Sequence, residues 1–269
     1  MNRQLQLRGL NVITDQYLMP RDRFVAMVEA AVQNGANIVQ LREKHTPPEE
    51  VAQLGQALLP VTRRYGALLL INDDPEVAHA IGADGVHVGR EDATVPEARA
   101  LLGPDAIIGV TCYGQIERAV SAVEEGADYV AFGTPFHSPT KGAQGKTPLT
   151  MYRDVKRHVA APVFAIGGIN VGNAQQIRDA GADAISVVPC RAHHLISRTP
   201  RHPWSTLQRG RYDHARAGHG TSPAGRKGDR LWALPRPVAR HSLWCERSAR
   251  YFRWYPNHLG RGAVSPSNL

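Results

Sequence analysis

Four short phrases along the chain share one pattern of polar and apolar positions: "NGANIVQL" from Asn34, "IGADGVHV" from Ile81, "EGADYVAF" from Glu125 and "AGADAISV" from Ala180. Each closes an amphipathic stretch with Gly-Ala-Asp or Gly-Ala-Asn and then runs into a few consecutive apolar residues. The glycine suits the left-handed position that ends a helix. The apolar run suits a strand buried on both faces, as in a parallel sheet. Helix, glycine, strand, repeated, predicts βα units. Filling the gaps predicts eight strands, near 10–15, 38–43, 68–73, 85–89, 107–112, 129–133, 163–168 and 184–188, with helices between them. In the first helix Phe24, Met27, Val28, Ala31 and Val32 form one apolar stripe.

Two architectures fit alternating strands and helices. A doubly wound dinucleotide fold opens with GxGxxG after its first strand, and none stands here. Polar residues close many strands instead: Asp15, Arg42, Asn72, His87, Thr111 and Thr134, with Gly168 after the seventh. A rim built from many strand ends is how a (β/α)8 TIM barrel makes its active site, so an α/β barrel is expected.

After Val188 the pattern stops. Residues 1–188 hold 17 Lys and Arg against 21 Asp and Glu, a net of −4; residues 189–269 hold 15 against 3, a net of +12. The overall charge of +8 therefore resides in the tail, and so do all four Trp. The tail is rich in Arg, Pro, Gly and His without period, a composition that cannot bury a core and is expected to be disordered. Domains of 1–188 and 189–269 follow. Cys112, Cys190 and Cys245 make no metal spacing and fit a reducing compartment. The N-terminus shows no signal peptide and no apolar run is long enough to span a membrane, so a cytoplasmic protein without membrane partners is expected.

The strand ends carry the chemistry. In "QLREK", alternation along a strand would point Gln40, Arg42 and Lys44 together, an amide and two cations suited to a phosphate or pyrophosphate. Taken alone, the same residues read more readily as a solvated charged loop. Asn72 and Asp73 end the third strand, and Asp92 stands in the loop after the fourth. Two carboxylates beside a cationic site suit Mg²⁺, which takes oxygen ligands and keeps substrate phosphates. Alternatively Asp74 is a turn residue before Pro75 and Asp92 a helix N-cap. "SPTKGAQGKT" brings Ser138, Thr140 and Lys141 on a glycine-rich loop, and "AIGGIN" exposes backbone N–H groups near a helix start. Loop freedom and tight-turn geometry explain these two equally well. Each motif alone is weak; five of them in order around one rim, all favouring anions or Mg²⁺, are not.

Residues from about Leu10 to Val188 resemble the thiamine-phosphate synthase family, through "QLREK", "IND", "GVHVGRED", "IIGVT", "SPTK" and "AIGGIN" in that order. The resemblance implies a TIM barrel enzyme joining a pyrimidine-methyl pyrophosphate to a thiazole phosphate, with Mg²⁺ as cofactor. It implies that Gln40, Arg42, Lys44 and Asn72 hold the pyrimidine pyrophosphate, with Thr111 where the family usually has Ser. Asp73 and Asp92 would bind Mg²⁺. Ser138, Thr140, Gly168 and Val188 would contact the thiazole phosphate, and Lys141 the pyrophosphate. Arg42, Lys44 and Lys141 would stabilise the leaving group. The related thiazole tautomerases share the barrel but generally lack this pyrophosphate and metal set; an inactive or tautomerase-like barrel is the alternative. Partners are the two small-molecule substrates, with a homo-oligomer open.

The family continues the eighth strand with a Ser and a last helix; here Pro189 replaces the Ser. Proline lacks both N–H and hydroxyl, and losing such contacts costs about 1–3 kcal/mol each. A missing barrel helix forgoes about 5–12 kcal/mol of apolar burial, against a total stability of about 5–15 kcal/mol. The barrel is thus expected to lack a normal last helix, with "HSLWCERSARYFRWY" at 241–255 as the one candidate substitute. The abrupt Arg-rich onset reads as a shifted reading frame in GC-rich DNA; sequencing the coding DNA around codon 188 tests it. Arg with interleaved aromatics also suits RNA or single strands. The negative first part, with its full catalytic set, weighs against specific nucleic-acid binding.

Overall fold

The computed structural model describes residues 7–137 and 147–188. Eight parallel strands close into one barrel in sequence order, β1 (Gly9–Ile13), β2 (Ile38–Leu41), β3 (Leu68–Asn72), β4 (Gly85–Val88), β5 (Ile107–Thr111), β6 (Tyr129–Gly133), β7 (Val163–Ile166) and β8 (Ala184–Val187). Seven helices cover it: α1 (Phe24–Gln33), α2 (Pro48–Tyr65), α3 (Pro75–Ile81), α4 (Val95–Leu102), α5 (Ile116–Glu124), α6 (Thr150–Val155) and α7 (Ala174–Asp179). The expected (β/α)8 barrel is present. Pro189, the position of a last helix, the 241–255 candidate and the rest of the tail lie outside the described residues. No helix among the described residues is long and apolar enough to cross a membrane.

Alternation sorts each strand. Outward residues such as Val12, Val39, Leu41, Leu69, Ile71, Val86, Ile108, Val110, Val130 and Ile185 pack under the helices. Inward residues Ile38, Leu68, Leu70, Ile107, Tyr129, Phe164 and Ala184 fill the barrel. Toward the C-terminal mouth the interior turns polar, with Asn11, Gln40, His87 and Ser186 buried there. In α1 Phe24, Val28, Ala31 and Val32 are buried as the stripe predicts, with Met27 packed at its edge.

The repeated phrase has a second function that periodicity does not reveal. Its four glycines, 35, 82, 126 and 181, all have positive φ, as helix ends require. The Asp or Asn two residues on then clamps the start of the preceding odd strand at two points. Asp84 donates its N–H to Leu69 O (2.9 Å) and accepts from Leu69 N (2.8 Å). Asp128 does the same with Ile108 (2.8 and 2.8 Å), and Asp183 with Val163 (2.8 and 2.9 Å). Asn37 repeats it with Leu10, its side-chain contact longer at 3.4 Å. The barrel floor is therefore stitched as four βαβα quarters. Asp128 is further paired with Arg99 at 2.7 Å, and Arg99 also donates to the carbonyls of Gly103, Ala106 and Gly126.

Asp128→Ala strands both the Ile108 N–H and the Arg99 charge, so it is expected to lower unfolding free energy by about 2–4 kcal/mol. Asn37→Ala, which removes one long neutral contact, should cost under about 1 kcal/mol. Urea midpoints at unchanged m-value test the contrast; equal midpoints for the two variants would refute it.

Candidate active site

At the mouth, side-chain amides form a directed chain. Asn11 Nδ2 donates to Ser186 Oγ (3.0 Å) and Gln40 Oε1 (3.5 Å), and Gln40 Nε2 donates to Asn72 Oδ1 (2.8 Å). This order leaves the Asn72 amide nitrogen to donate to a ligand. It also leaves Asn11 Oδ1 buried with no hydrogen-bond partner, an acceptor whose cost the scaffold must carry.

The β2–α2 loop corrects one expectation. β2 ends at Leu41, so strand alternation does not align Gln40, Arg42 and Lys44. A clasp from the first βα unit orders the loop instead. The Arg42 N–H donates to Thr14 Oγ1 at 2.8 Å, and that hydroxyl lies 3.2 Å from Glu43 Oε1. Arg21 stands 2.8 Å from the other Glu43 oxygen as an ion pair and donates to Thr46. Glu43 is thus a fully buried carboxylate held between Thr14 and Arg21, with Arg42 and Lys44 on either side of it in the chain.

Lys44 reaches across to Asp73, with Nζ to Oδ2 at 2.8 Å. Asp73 follows β3 in a left-handed conformation, φ 69°, a backbone cost seen chiefly where geometry is over-determined. Asp92 accepts from Gly89 N at 2.7 Å and stands beside Asp73. Partial burial and that contact with Asp73 raise the Asp92 carboxyl above its ordinary range. The alternative reading of Asp92 does not survive: Thr94, not Asp92, caps α4 through a capping box with Glu97. Asp74 is the cap of α3, accepting from Val77 N at 2.8 Å. Among the described residues no three His, Cys, Asp or Glu cluster. A pair of converging carboxylates is the donor set a cation sharing its shell with phosphates requires.

Thr111 closes β5, with Oγ1 2.7 Å from His87 Nε2; His87 Nδ1 lies 2.8 Å from the Tyr129 hydroxyl. Next to Thr111, Tyr113 has φ 50° and its ring lies beside two guanidinia, Arg90 at 5.0 Å and Arg118 at 5.8 Å. Arg118 in turn donates to Thr111 O and Gly89 O, both at 2.9 Å, tying the Asp92 loop to the Thr111 loop. Asp15, by contrast, is a turn residue, accepting from the N–H groups of Tyr17 and Leu18.

Gly168 follows β7 with φ 66°, and a Cβ there would lie 2.6 Å from His137 O. The β6–α6 loop thus packs directly on the Gly168 backbone. Val188 follows β8, half-buried. Ser138, Thr140 and Lys141 lie outside the described residues. The others converge on one mouth: Gln40, Asn72, Thr111, Asp73, Asp92, Arg42 and Lys44 at its β2–β5 side, Gly168 and Val188 at its β7–β8 side.

A family model described as thiamine monophosphate synthase matches residues 10–190. The chain belongs to the thiamine monophosphate synthase family. Relatives of that family include the thiamine-phosphate synthase of Thioalkalivibrio sulfidiphilus, 41% identical over 68% of this chain and 87% of its own. That of Halorhodospira halophila is 43% identical over 70% and 88%. Among solved structures, a thiamine phosphate pyrophosphorylase from Pyrococcus furiosus is 32% identical with a TM-score of 0.63, covering 80% of this chain and all of its own.

Within this family fold, the side chains that sequence reasoning passed over are those behind the mouth: Asn11, Thr14, Glu43, Tyr129 and Ser186. The lone Asn inside the apolar run "LNVI" was the one visible signal. Tyr129 and Ser186 look in sequence like ordinary strand residues.

Proposed function

We propose that the chain is a thiamine-phosphate synthase, joining a pyrimidine-methyl pyrophosphate to a thiazole phosphate. The bond between the pyrimidine methylene carbon and the pyrophosphate oxygen breaks, and its electron pair leaves with pyrophosphate. The thiazole nitrogen then gives its lone pair to the methylene carbon, closing the new C–N bond. No proton has to be removed, so no general base is assigned, and positioning carries much of the work.

The observation that carries the reading is the polarity of the mouth. The amide chain from Asn11 ends in an Asn72 donor, beside Arg42 and Lys44 and next to the Asp73–Asp92 pair. Donors and cations suit a pyrophosphate, whose developing charge they stabilise as it leaves. The carboxylate pair fits Mg²⁺, which when bound would neutralise pyrophosphate charge; Asp73 and Asp92 would hold it. Lys44 would then turn from Asp73 to the pyrophosphate. Gln40 and Thr111 would orient the pyrimidine half. Gly168, Val188, Ser138 and Thr140 would take the thiazole phosphate, with Lys141 on the leaving group. We also read residues 1–188 as the catalytic part of a cytoplasmic enzyme and 189–269 as an addition.

Thiamine phosphate formation by the purified full-length chain from the two phosphorylated substrates tests the proposal. Turnover that chelation abolishes and Mg²⁺ restores is expected. A folded, soluble chain that makes no thiamine phosphate with Mg²⁺ present would refute it.

A further inference from the structure

Behind Thr111 lies a pair of side chains that the proposed chemistry does not use. Tyr129 is fully buried, its ring stacked 4.1 Å from Phe164 and 5.5 Å from His87. Among the described residues its hydroxyl has one hydrogen-bond partner, His87 Nδ1 at 2.8 Å. The other ring nitrogen, Nε2, stands 2.7 Å from Thr111 Oγ1. We infer that Tyr129 and His87 are positioning residues that fix the Thr111 hydroxyl as a hydrogen-bond donor to the pyrimidine pyrophosphate, an inference that rests on the proposed synthase reading.

The direction of the chain follows from counting protons. Burial raises the Tyr129 phenol far above its ordinary value, so it keeps its proton. A buried hydroxyl proton without an acceptor is costly. Among the described residues the acceptor within reach is Nδ1, which must then carry no proton. Neutral imidazole has one N–H, and it therefore sits on Nε2. Nε2–H donates to Thr111 Oγ1, which accepts. The one proton of Thr111 is left for the mouth. The opposite tautomer would strand the phenol proton in the core. It would also make Thr111 donate inward and turn its lone pairs toward an anionic substrate.

The backbone supports the arrangement. Gly109 pairs with Tyr129 across β5 and β6, and a Cβ at Gly109 would fall 2.0 Å from the ring. Only a glycine there admits the phenol at this depth. Register then sets the rest: Gly109 also pairs with His87 across β4 and β5, so both rings flank the same glycine.

Two measurements on the full-length chain test the inference. The first is ¹⁵N NMR of protein labelled at histidine, with the His87 signals assigned by difference against His87→Gln. A neutral Nε2–H imidazole is expected; an Nδ1–H tautomer or an imidazolium at neutral pH overturns the inference. The second is steady-state kinetics. Tyr129→Phe keeps the stacked ring and loses only the hydroxyl. It is expected to raise KM for the pyrimidine pyrophosphate about tenfold, the size of one lost hydrogen bond to a charged group. KM for the thiazole phosphate should stay unchanged. Thr111→Val should do at least as much, Thr111→Ser should not, and Tyr129→Phe should add nothing to Thr111→Val. Additive losses, or equal rises in both KM values, overturn it. If the wild-type chain makes no thiamine phosphate, the synthase reading fails while the tautomer still decides the hydrogen-bond chain.

Discussion

Asp73→Asn and Asp92→Asn are each expected to lower turnover by about 10³-fold, the rate equivalent of several kcal/mol of charge stabilisation at the leaving pyrophosphate. The same exchanges should leave the fold intact, and Asp92→Asn should stabilise it when chelator is present. The Asp92 carboxyl is raised by partial burial and by Asp73. The folded chain thus holds that proton more tightly than the unfolded chain does. Stability falls as pH rises from the ordinary carboxylate value through the raised one, and the whole penalty is present at neutral pH. Asparagine removes it and still accepts from Gly89 N. Asp73→Asn differs, because it also removes the partner of Lys44. That pair is partly solvent-exposed, Lys44 at 45% and Asp73 at 27%, so its loss should matter little. Thermal unfolding with chelator, and again with Mg²⁺ and pyrophosphate, separates the effects. Wild type should gain Tm on adding the ligands and Asp92→Asn should not. Wild-type turnover in either variant would sink the metal assignment.

How much of this was legible beforehand depends on where each residue's constraint lies. The barrel was readable because four Gly-Ala-Asp or Gly-Ala-Asn phrases repeat a local rule, helix stop then buried strand, and local rules leave periodic traces. Strand ends were read up to two residues too long, at 38–43 against Ile38–Leu41 and 163–168 against Val163–Ile166. Polar rim residues continue the apolar pattern of a strand while the backbone already turns. That error passed into the reading of "QLREK", where the clasp of Thr14, Glu43 and Arg21 arranges what alternation was thought to arrange. Asp73 and Asp92 stand near one another because adjacent βα loops must meet at one rim. The second layer was illegible because each contact crosses strands: His87 to Tyr129 spans 42 positions and Asn11 to Ser186 spans 175. Nothing near Tyr129 in sequence says that a glycine twenty positions earlier makes room for it.

That glycine gives the other large effect. Gly109→Ala is expected to cost about 3 kcal/mol or more of stability, at the upper end of overpacking, from a total of about 5–15 kcal/mol. Its φ is not in the left-handed region, so the cost is steric alone: the new methyl would lie 2.0 Å from the Tyr129 ring. The ring has nowhere to go, with Phe164 stacked at 4.1 Å on one side and the His87 hydrogen bond holding its hydroxyl. Gly35→Ala is the contrasting case. Its Cβ meets nothing within 4 Å, but φ is 102°, so it pays only backbone strain of about 1–2 kcal/mol. If space at Gly109 is the cause, shortening the ring should repair the damage, and Gly109→Ala with Tyr129→Leu should unfold at higher urea than Gly109→Ala alone. Protein that folds with Gly109→Ala should also lose affinity for the pyrimidine pyrophosphate, since any shift of the ring breaks the bond that directs His87 and Thr111. A Gly109→Ala chain with the wild-type urea midpoint would mean that the ring can move, and the close packing of β5 on β6 would then not be what orders the mouth.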